Sequence, residues 1–490
     1  MAAVALVLAL GAAVDAYLRR HAGRFLLMAL SGWLAAGVTL GSRAERLAQA
    51  PPLRGAVLAN SSTRPPVGDA RDNAAPHESS PDRALRPAVA RASRSRYAGP
   101  THDFDQIVTI LGRLRQDAAL LPQGVGLTIA VDELARAPTL ALSDGVMLTV
   151  LGSLGAPRIS DWRAGRRLRV QAMVREPARY LDPGVPDLPL SLARRGIAMV
   201  GSVKSGALVE VVGHGSWLEE RAASARHRIR QLTMASVGSW DPTTAAIVTA
   251  ILIGDRAGLD DRIERDLQEA GTYHVIAISG GNIAILAGCL LLTCRLLRVP
   301  WRAGLSLTIL LLIAYAELAG GGSSVSRATT MAVVYLAAML LDQRTSAASA
   351  LAVAASLILV GNPLALVDPG FLLTFGATIA IVLGVPAFTS AVAAPAMLRA
   401  PLALLGASAA AEVALLPLGP LFFSRVTLAG VLFNFAAVPL MSIVQIGGMV
   451  ALAISAAAPS LAHWAGWVPH RAALALVSSA ALVHYVPWLT

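Results

Sequence analysis

The sequence predicts a polytopic α-helical membrane protein of about eight to ten membrane segments, with an inserted, outward-facing small β-barrel (OB-like) domain. Hydrophobic residues make up 55% of the chain and charged residues only 14%, a composition too apolar for an ordinary soluble protein. The apolar residues concentrate in 1–41 and 242–490, whereas 42–240 holds most of the charge. This uneven distribution predicts two membrane blocks separated by one large soluble insertion.

Residues 1–41 predict two N-terminal transmembrane helices. The apolar stretches 2–18 and 25–41 are each about long enough to span a bilayer. Basic residues lie between them, in 19–24, rather than before the first stretch as in a secretory signal. The positive-inside rule therefore places this short loop in the cytoplasm and the region after Gly41 outside.

Residues 42–217 predict a soluble β domain on the outer face. Its segment 60–100 lacks periodicity and is rich in Pro, Ser, Arg and Asp, which is typical of a disordered insertion. From Phe104 onward, short apolar runs separated by turns predict five or six strands, such as 168–174, where apolar residues recur at every second position. Strands this close in sequence favour a small antiparallel barrel.

The insertion is also basic. Residues 42–240 contain 26 Arg and one Lys against 18 Asp and Glu, which leaves +9 of the +11 net charge of the chain. This excess indicates either the solvated surface of an Arg-rich protein or a polyanionic partner. Residues 218–240 predict a basic interfacial helix whose Arg226, Arg228 and Arg230 suit lipid headgroups, although a plain connecting helix fits the same pattern.

Residues 241–490 predict a second, multi-helix membrane block. Its apolar segments lie near 243–254, 275–294, 304–319, 325–341, 346–361, 370–386, 401–419, 427–456 and 471–488. The first of these is too short to span comfortably and is predicted to be re-entrant. Arginines within 295–302, at Arg344 and at Arg399 predict cytoplasmic loops.

No motif of a common enzyme accompanies these segments. Ser279 lies in AISGG and not in the G-x-S-x-G of a nucleophile elbow, and Lys204 lacks the glycine of a phosphate-binding loop. There is no H-E-x-x-H, and Cys289 and Cys294 lie five residues apart on one predicted helix, where they point to different faces. The sequence predicts a protein that is not an enzyme, with no catalytic residue, metal or cofactor.

Polar residues at membrane depth are the unusual feature of the second block. Six of them lie in or beside apolar segments: Glu317, Arg327, Asp368, Glu412, Asn434 and Gln445. A charged group at the bilayer centre costs at least about 2.5–3.5 kcal/mol, so these side chains should face protein or water. Any one of them alone fits an interfacial or helix-capping residue, but six together favour a polar path.

Irregular backbone is predicted in the same block. Glycine, proline or asparagine interrupts the apolar sequence at Gly320, Gly321 and Gly322, at 362–370, and at Asn434 with Pro439, which are predicted to break 427–456. The motif SGGN at 279–282 best fits a helix break that exposes backbone dipoles and an amide side chain, as in many transporters. Gly280 and Gly281 also fit simple close packing of helices.

Four segments in order resemble the signature of the ComEC-type competence proteins, in a form that lacks a C-terminal metallo-β-lactamase-like domain. They are GDRAGLDDRIERDLQEAGTYHVIAISGGNIAI (254–285), SSVSRATTMA (323–332), NPLALVDPGFLLTFGAT (362–378) and EVALLPLGPLFFSRVTLAGVLFNFAAVPL (412–440). Residues 182–203 weakly resemble the end of the outward OB-type domain of that family. Many members have Leu-His where this chain has Gly281-Asn282, so a role for that histidine does not carry over.

The resemblance implies an inner-membrane channel that conducts single-stranded DNA into the cytoplasm during natural transformation. The implied location is a bacterial inner membrane, crossed several times, with the soluble domain on the outer face. The implied partners are single-stranded DNA, membrane lipid, a cytosolic ATP-driven DNA translocase, and a DNA receptor with its pilus machinery. A separate nuclease is also expected, because the chain stops at Thr490 without the hydrolase domain. The oligomeric state stays open.

Candidate residues of the DNA path follow from these segments: Arg327, Asp255, Arg256, His274, Ser279, Asn282, Asp368, Glu412 and Asn434. Arg327 is the first choice, because it follows a glycine-rich break and is expected to contact phosphate or to lock the pore through Asp368 or Glu412. The barrel has few aromatic residues for stacking on bases: Phe104, Trp162, Tyr180 and Trp217. It either binds the strand or only shapes the pore entrance.

Two other functions fit the same residues. A small-solute or lipid-linked envelope transporter also needs broken helices and buried charges, and an orphan membrane scaffold keeps the fold without transport. A transporter is expected to act on a solute without DNA-uptake genes nearby, whereas a scaffold is expected to tolerate Arg327→Ala.

Overall fold

A computed structural model describes residues 106–485 apart from 122, 135–143, 179–187, 257, 344–345, 392–394 and 419–428. Within these residues a β domain comes first and a helical block follows. The predicted helix pair in 1–41 and the predicted disordered insertion at 60–100 lie outside the described residues.

The β domain is a small closed barrel. Its strands are β1 (Gln106–Leu114), β2 (Ala119–Leu121), β3 (Gly124–Leu134), β4 (Gly145–Val150), β5 (Arg167–Arg175), β6 (Ile197–Val203) and β7 (Val209–Gly213). Five of them close the ring β1-β3-β4-β6-β5, in which β5 pairs back to β1 and β4 runs parallel to β6. β2 pairs with β3, and β7 pairs with β5. This ring confirms the predicted small barrel, although the described residues form seven strands rather than five or six, and the β4–β6 pair is parallel where an antiparallel barrel was predicted.

Alternating side chains fill the barrel interior. In β5, Leu168 and Val170 are fully buried while Arg169 between them is exposed, which confirms the predicted alternation. Gly112 lies at a register shift between β1 and β3, where a Cβ would come within 2.2 Å of the Ala130 carbonyl oxygen. Closure of the barrel at this point therefore requires glycine.

The helices follow in a regular series. They are α1 (Leu188–Arg194), between β5 and β6, then α2 (Trp217–Ser236), α3 (Pro242–Ile253), α4 (Asp261–Glu269), α5 (Gly280–Leu296), α6 (Trp301–Leu318), α7 (Ser323–Leu340), α8 (Ala347–Gly361), α9 (Pro369–Ala391), α10 (Ala396–Leu415), α11 (Ala429–Ala457), α12 (Ala462–Ala465) and α13 (Trp467–Ala481). Each apolar segment predicted in 241–490 corresponds to one of them within a few residues.

Six helical segments of the described chain are long and apolar enough to cross a membrane. They are Tyr273–Leu296, which contains α5, and α6, α7, α9, α10 and α11. The chain is therefore a multi-pass membrane protein that also carries a small barrel. The larger predicted total included the two segments in 1–41, which the structure does not describe.

The short apolar helix α3 lies inside the helical block. Nine of its twelve residues are buried, and Val248 and Leu252 face Gly448 of α11, where a Cβ would come within 3.0 Å of Leu252. A helix that is apolar on every side needs burial on every side. Packing against α11 and α13 provides it, so this segment need not contact lipid to be stable.

The predicted break at Asn434 and Pro439 is wrong. Helix α11 runs without interruption for 29 residues, with Pro439 inside it. A proline removes one backbone hydrogen bond and bends a helix, but packing against neighbouring helices allows the helix to continue on both sides. Asn434 therefore presents its side chain from a regular helix rather than from an irregular segment.

Candidate functional site

The SGGN motif forms the start of α5 rather than a break within it. Ser279 is the N-cap, and Asn282 in the first turn accepts hydrogen bonds through Oδ1 from the Ser279 N–H at 3.1 Å and Oγ at 2.8 Å. Gln445 of α11 donates from Nε2 to the Asn282 carbonyl oxygen at 2.8 Å. The motif therefore sets the position at which α5 begins and ties it to α11.

The start of α7 lies against the segment that leads into α5. Ser324, in the first turn of α7, donates from Oγ to the Ile278 carbonyl oxygen at 2.9 Å. The turn before α7 holds Gly320 and Gly321 at φ of +79° and +62°, a left-handed conformation that favours glycine. The glycine-rich segment therefore allows a tight turn between α6 and α7. The Ser324 hydrogen bond then holds the start of α7 beside the start of α5.

Arg327 links α7 to the start of a third helix, α9. It lies one turn after Ser324, is 7% exposed, and donates from Nη1 to Asp368 Oδ2 at 3.4 Å. Asp368 is the residue before α9 and also accepts the Phe371 N–H at 3.1 Å, as an N-cap does. A Cβ on Gly370 would lie 2.8 Å from Arg327 Nη2, so glycine leaves room for the guanidinium beside the first turn of α9.

We call the first turns of α5, α7 and α9 the helix-start cluster. A helix N-terminus presents unpaired N–H groups and the positive end of the helix dipole. Ser324 ties the start of α7 to the segment before α5, and Arg327 ties α7 to the residue before α9, so this part of the block is favourable for an anion. The Asp368 carboxylate offsets part of that charge, because its side chain is the ion-pair partner of Arg327.

Glu412 and Asn434 lie together elsewhere in the block. Both face Gly430 of α11, where a Cβ would be 3.1 Å from Glu412 Oε2 and 3.6 Å from Asn434 Nδ2. Asn434 is 9% exposed, and its Oδ1 has no hydrogen-bond partner among the described residues. Of the two carboxylates that the sequence offered as partners of Arg327, the structure pairs Asp368 with it and places Glu412 beside Asn434.

Asp255 and Arg256 hold the loop after α3 in place. Gly254 ends α3 at φ of +75°, and Asp255 then accepts a hydrogen bond from Arg230 of α2. Arg256 donates to the Tyr273 hydroxyl at 2.7 Å, and that hydroxyl donates to Glu264 at 2.5 Å. These contacts give both motif residues a structural role.

His274 lies in the short turn that precedes α5. His274 is exposed, although Val275 and Ile276 beside it are buried. Within the described ranges, no three His, Cys, Asp or Glu side chains lie close enough together to hold a metal ion.

A junction between barrel and membrane block was not predicted. Arg226 of α2 donates two hydrogen bonds to Asp117 of the barrel, from Nε to Oδ2 at 2.6 Å and from Nη2 to Oδ1 at 2.7 Å. Its Nη1 donates to the Leu318 carbonyl oxygen at the end of α6, at 3.2 Å. Arg230 lies 3.5 Å from Asp117 and also binds Asp255. We call Asp117, Arg226, Arg230 and Asp255 the Asp117 junction.

The expectation that Arg226 faces lipid headgroups is therefore wrong. Its side chain is 7% exposed and lies between the barrel, α2 and α6. Asp117 and Arg226 are 109 residues apart in sequence, and no motif links them. Only the basic character of α2 hinted that an arginine there would find an acidic partner.

The Asp117 junction is expected to weaken at acid pH. Burial raises the pKa of Asp117, but hydrogen bonds from Arg226 and the Ala164 N–H, with the charges of Arg226 and Arg230, outweigh burial and hold this pKa below its ordinary value. A lowered folded-state pKa stabilises the fold only while the carboxylate is ionised. The contribution is therefore complete above the unfolded-state pKa of about 3.9 and is lost as the pH falls further, through the folded-state pKa.

Protease cleavage of the connection between β7 and α2 measures this weakening in the full-length protein in detergent. Cleavage should rise as the pH falls below about 4, and Asp117→Asn should already be cleaved faster at neutral pH. Glu210→Gln is the matched control, because Glu210 pairs with Arg169 on the exposed barrel surface. A wild-type cleavage rate that does not change with pH would contradict the role of Asp117.

The barrel surface offers little for stacking on bases. Trp162 is 1% exposed in the barrel core, whereas Trp217 at the start of α2 is 67% exposed, with Arg221 5.2 Å above its ring. Phe104 and Tyr180 lie outside the described residues. Three barrel arginines are paired with carboxylates: Arg166 with Glu220, Arg167 with Asp132, and Arg169 with Glu210. These pairs reduce the positive charge of the barrel surface.

The protein family that matches this chain covers most of its helical block. A profile of the Competence protein family, described as competence protein, matches residues 251–490. ComE operon protein 3 of Bacillus subtilis (strain 168) is 30% identical over 220 residues, which are 45% of this chain and 27% of that protein. The matched region is thus about a quarter of the length of that relative. No solved structure matches this chain.

Proposed function

We propose that the protein conducts single-stranded DNA across a bacterial inner membrane during natural transformation, a function in keeping with the match of residues 251–490 to the Competence protein family. The observation that carries the proposal is the helix-start cluster with Arg327. A DNA strand carries one negative charge for each nucleotide, and an apolar block repels such a chain unless positive groups compensate for it. Three helix N-termini and a buried arginine supply that compensation.

The barrel is proposed to face outward and to stand at the entrance of this path. The Asp117 junction supports this arrangement, because it fastens the barrel to α2, to the end of α6 and to the loop after α3. Trp162 is buried in the barrel core, and three barrel arginines are paired with carboxylates. We therefore propose that the described part of the barrel shapes the entrance rather than binding bases. Trp217 is the exposed aromatic side chain that a base could stack on.

The proposed protein is a channel and not an enzyme, so other proteins must deliver the DNA, drive its transport and degrade the second strand. We propose that a cytosolic ATP-driven translocase pulls the strand and that a receptor with pilus machinery delivers it. A separate nuclease removes the complementary strand. Membrane lipid surrounds the apolar helices, and the soluble domain meets DNA first.

The proposal is tested by following labelled duplex DNA in a transformable host that lacks this protein. Loss of the channel should leave the label outside the inner membrane, and the wild-type gene should restore single-stranded label in the cytoplasm. A strain that lacks the cytosolic translocase is the control for a block at a later step. Normal entry of DNA without the protein would contradict the proposal and would make solute transport the function to pursue.

A further inference from the structure

The first turn of α5 carries backbone donors that lack acceptors. Gly280 and Gly281 are its first two residues, and N–H groups at these positions have no partner within a helix. In the part of the chain that the structure describes, no other residue accepts a hydrogen bond from either of them. Both glycines are exposed, so a ligand can reach these N–H groups.

A third donor at the same helix start is buried and unpaired. The Asn282 side chain is 0% exposed, and its Oδ1 is held by Ser279. Its Nδ2 has no hydrogen-bond partner among the residues that the structure describes. A buried donor without an acceptor is costly, and it leaves an uncompensated partial positive charge beside the start of α5.

The space beside these donors is open. A Cβ on Gly280 would have no heavy atom within 4 Å, and the same is true of Gly320, Gly321 and Gly322 before α7. The hydrogen bond from Ser324 to the Ile278 carbonyl oxygen keeps the two glycine segments side by side. The structure therefore leaves room for a ligand atom beside Gly280 and beside each of the three glycines before α7.

Arg327 adds a positive charge with spare donor capacity. Its Nε has no partner in the described chain, although the residue is only 7% exposed. Its contact with Asp368 is 3.4 Å, whereas a strong charge-assisted N–H···O bond measures about 2.7–2.9 Å. A guanidinium has five N–H donors, so a second anion can bind while Asp368 remains nearby.

We propose that the first turn of α5 binds a phosphodiester oxygen of the translocating strand through the main-chain N–H groups of Gly280 and Gly281, with Arg327 balancing the charge from α7. This contact rests on the proposed function and names the chemical group that the cluster recognises. It is independent of base sequence, because only the backbone of the strand takes part. A channel for any strand needs recognition of this kind.

The fold itself does not require glycine at these two positions. Neither residue has a positive φ, and Gly281 has only Ser279 Oγ at 3.6 Å and Met441 Cε at 3.9 Å near the position of a Cβ. Alanine is the better helix former, so Gly280→Ala should fold at least as well as the wild type. Cβ atoms tilt toward the helix N-terminus, which places an added side chain beside the proposed phosphate.

The experiment titrates a fluorescent single-stranded oligonucleotide into full-length protein in phosphatidylcholine vesicles. Gly280→Val and the milder Gly280→Ala are compared with Gly288→Val and Gly288→Ala. Gly288 lies on the same helix, is also exposed, and also has nothing within 4 Å of a Cβ. Loss of hydrogen bonds to a charged group should weaken binding by Gly280→Val about tenfold or more, while Gly288→Val should bind as the wild type does.

Two further arms identify the group that is bound. A strand with an uncharged backbone should bind weakly and equally to all variants, and phosphatidylglycerol in the vesicles should compete only slightly. Equal affinity of Gly280→Val and wild type would overturn the contact alone, as would an equal loss in Gly288→Val or an effect confined to phosphatidylglycerol. Failure of the wild-type protein to bind any phosphodiester strand would overturn the proposed function together with the contact.

Discussion

Replacing Arg327 with alanine is expected to reduce entry of DNA into the cytoplasm by about 30-fold or more. Truncating one partner of a hydrogen-bonded charge pair costs about 2–5 kcal/mol, and the lower end applies here because the Asp368 side chain is 37% exposed and the contact is 3.4 Å. Arg327 is 7% exposed and connects α7 to the start of α9. Its loss removes the cation of the helix-start cluster and leaves Asp368 as an uncompensated negative charge that repels phosphate.

The measurement is cytoplasmic single-stranded label per cell, normalised to the amount of protein in the membrane. Arg327→Lys keeps the charge without the planar fork, so an intermediate value is expected. Arg302→Ala is the matched control, because Arg302 pairs with Asp342 in an ion pair whose side chains are 73% and 70% exposed. Such a pair contributes little. Normal entry in Arg327→Ala at wild-type protein levels would favour the scaffold function.

Replacing Asp117 with alanine is expected to have the largest effect on stability. Removing one partner of a buried ion pair costs about 3–5 kcal/mol, because the other charge stays buried without compensation. Arg226 would keep only carbonyl contacts at the end of α6, the Leu318 oxygen at 3.2 Å among them. The barrel would then keep the Arg166–Glu220 ion pair as a charged contact with α2, while its own core stayed intact.

A double-mutant cycle of Asp117→Ala and Arg226→Ala measures the coupling in purified full-length protein. The first thermal transition should shift strongly in each single variant, and the double variant should recover part of the loss. Arg169→Ala, in an exposed pair with Glu210, should change stability by no more than about 1 kcal/mol. Strictly additive effects would show that the two residues do not stabilise each other.

The arrangement of helices and strands was predictable because the signals for it are local. An apolar segment long enough to span is visible in the sequence without any knowledge of its neighbours, and α5 to α11 appear close to where their hydropathy places them. Alternation in 168–174 predicted a strand with one buried face, and Leu168 and Val170 confirm it. The predicted break at Pro439 is wrong, because packing around α11 offsets the hydrogen bond that a proline removes from a helix.

The candidate site was predictable only in part. The types of residue that belong to it were visible, because glycine, amide and charge are rare in apolar sequence. Their grouping was not, since Arg327 had two possible acidic partners and the sequence does not rank Asp368 above Glu412. The SGGN motif predicts a helix interruption, but in the structure Ser279 caps a helix that starts at Gly280.

Hydropathy and composition were sufficient to predict a helical membrane block that follows a small barrel, and to predict polar residues where lipid would reject them. Hydrophobic periodicity and composition carry that information within a few residues of each point in the chain. Only the folded chain shows that Ser324 of α7 binds the segment before α5, that Arg327 of α7 binds Asp368 before α9, and that Arg226 reaches Asp117, 109 residues away. Such contacts depend on how whole helices pack, and packing is a property of surfaces that only the folded chain brings into contact.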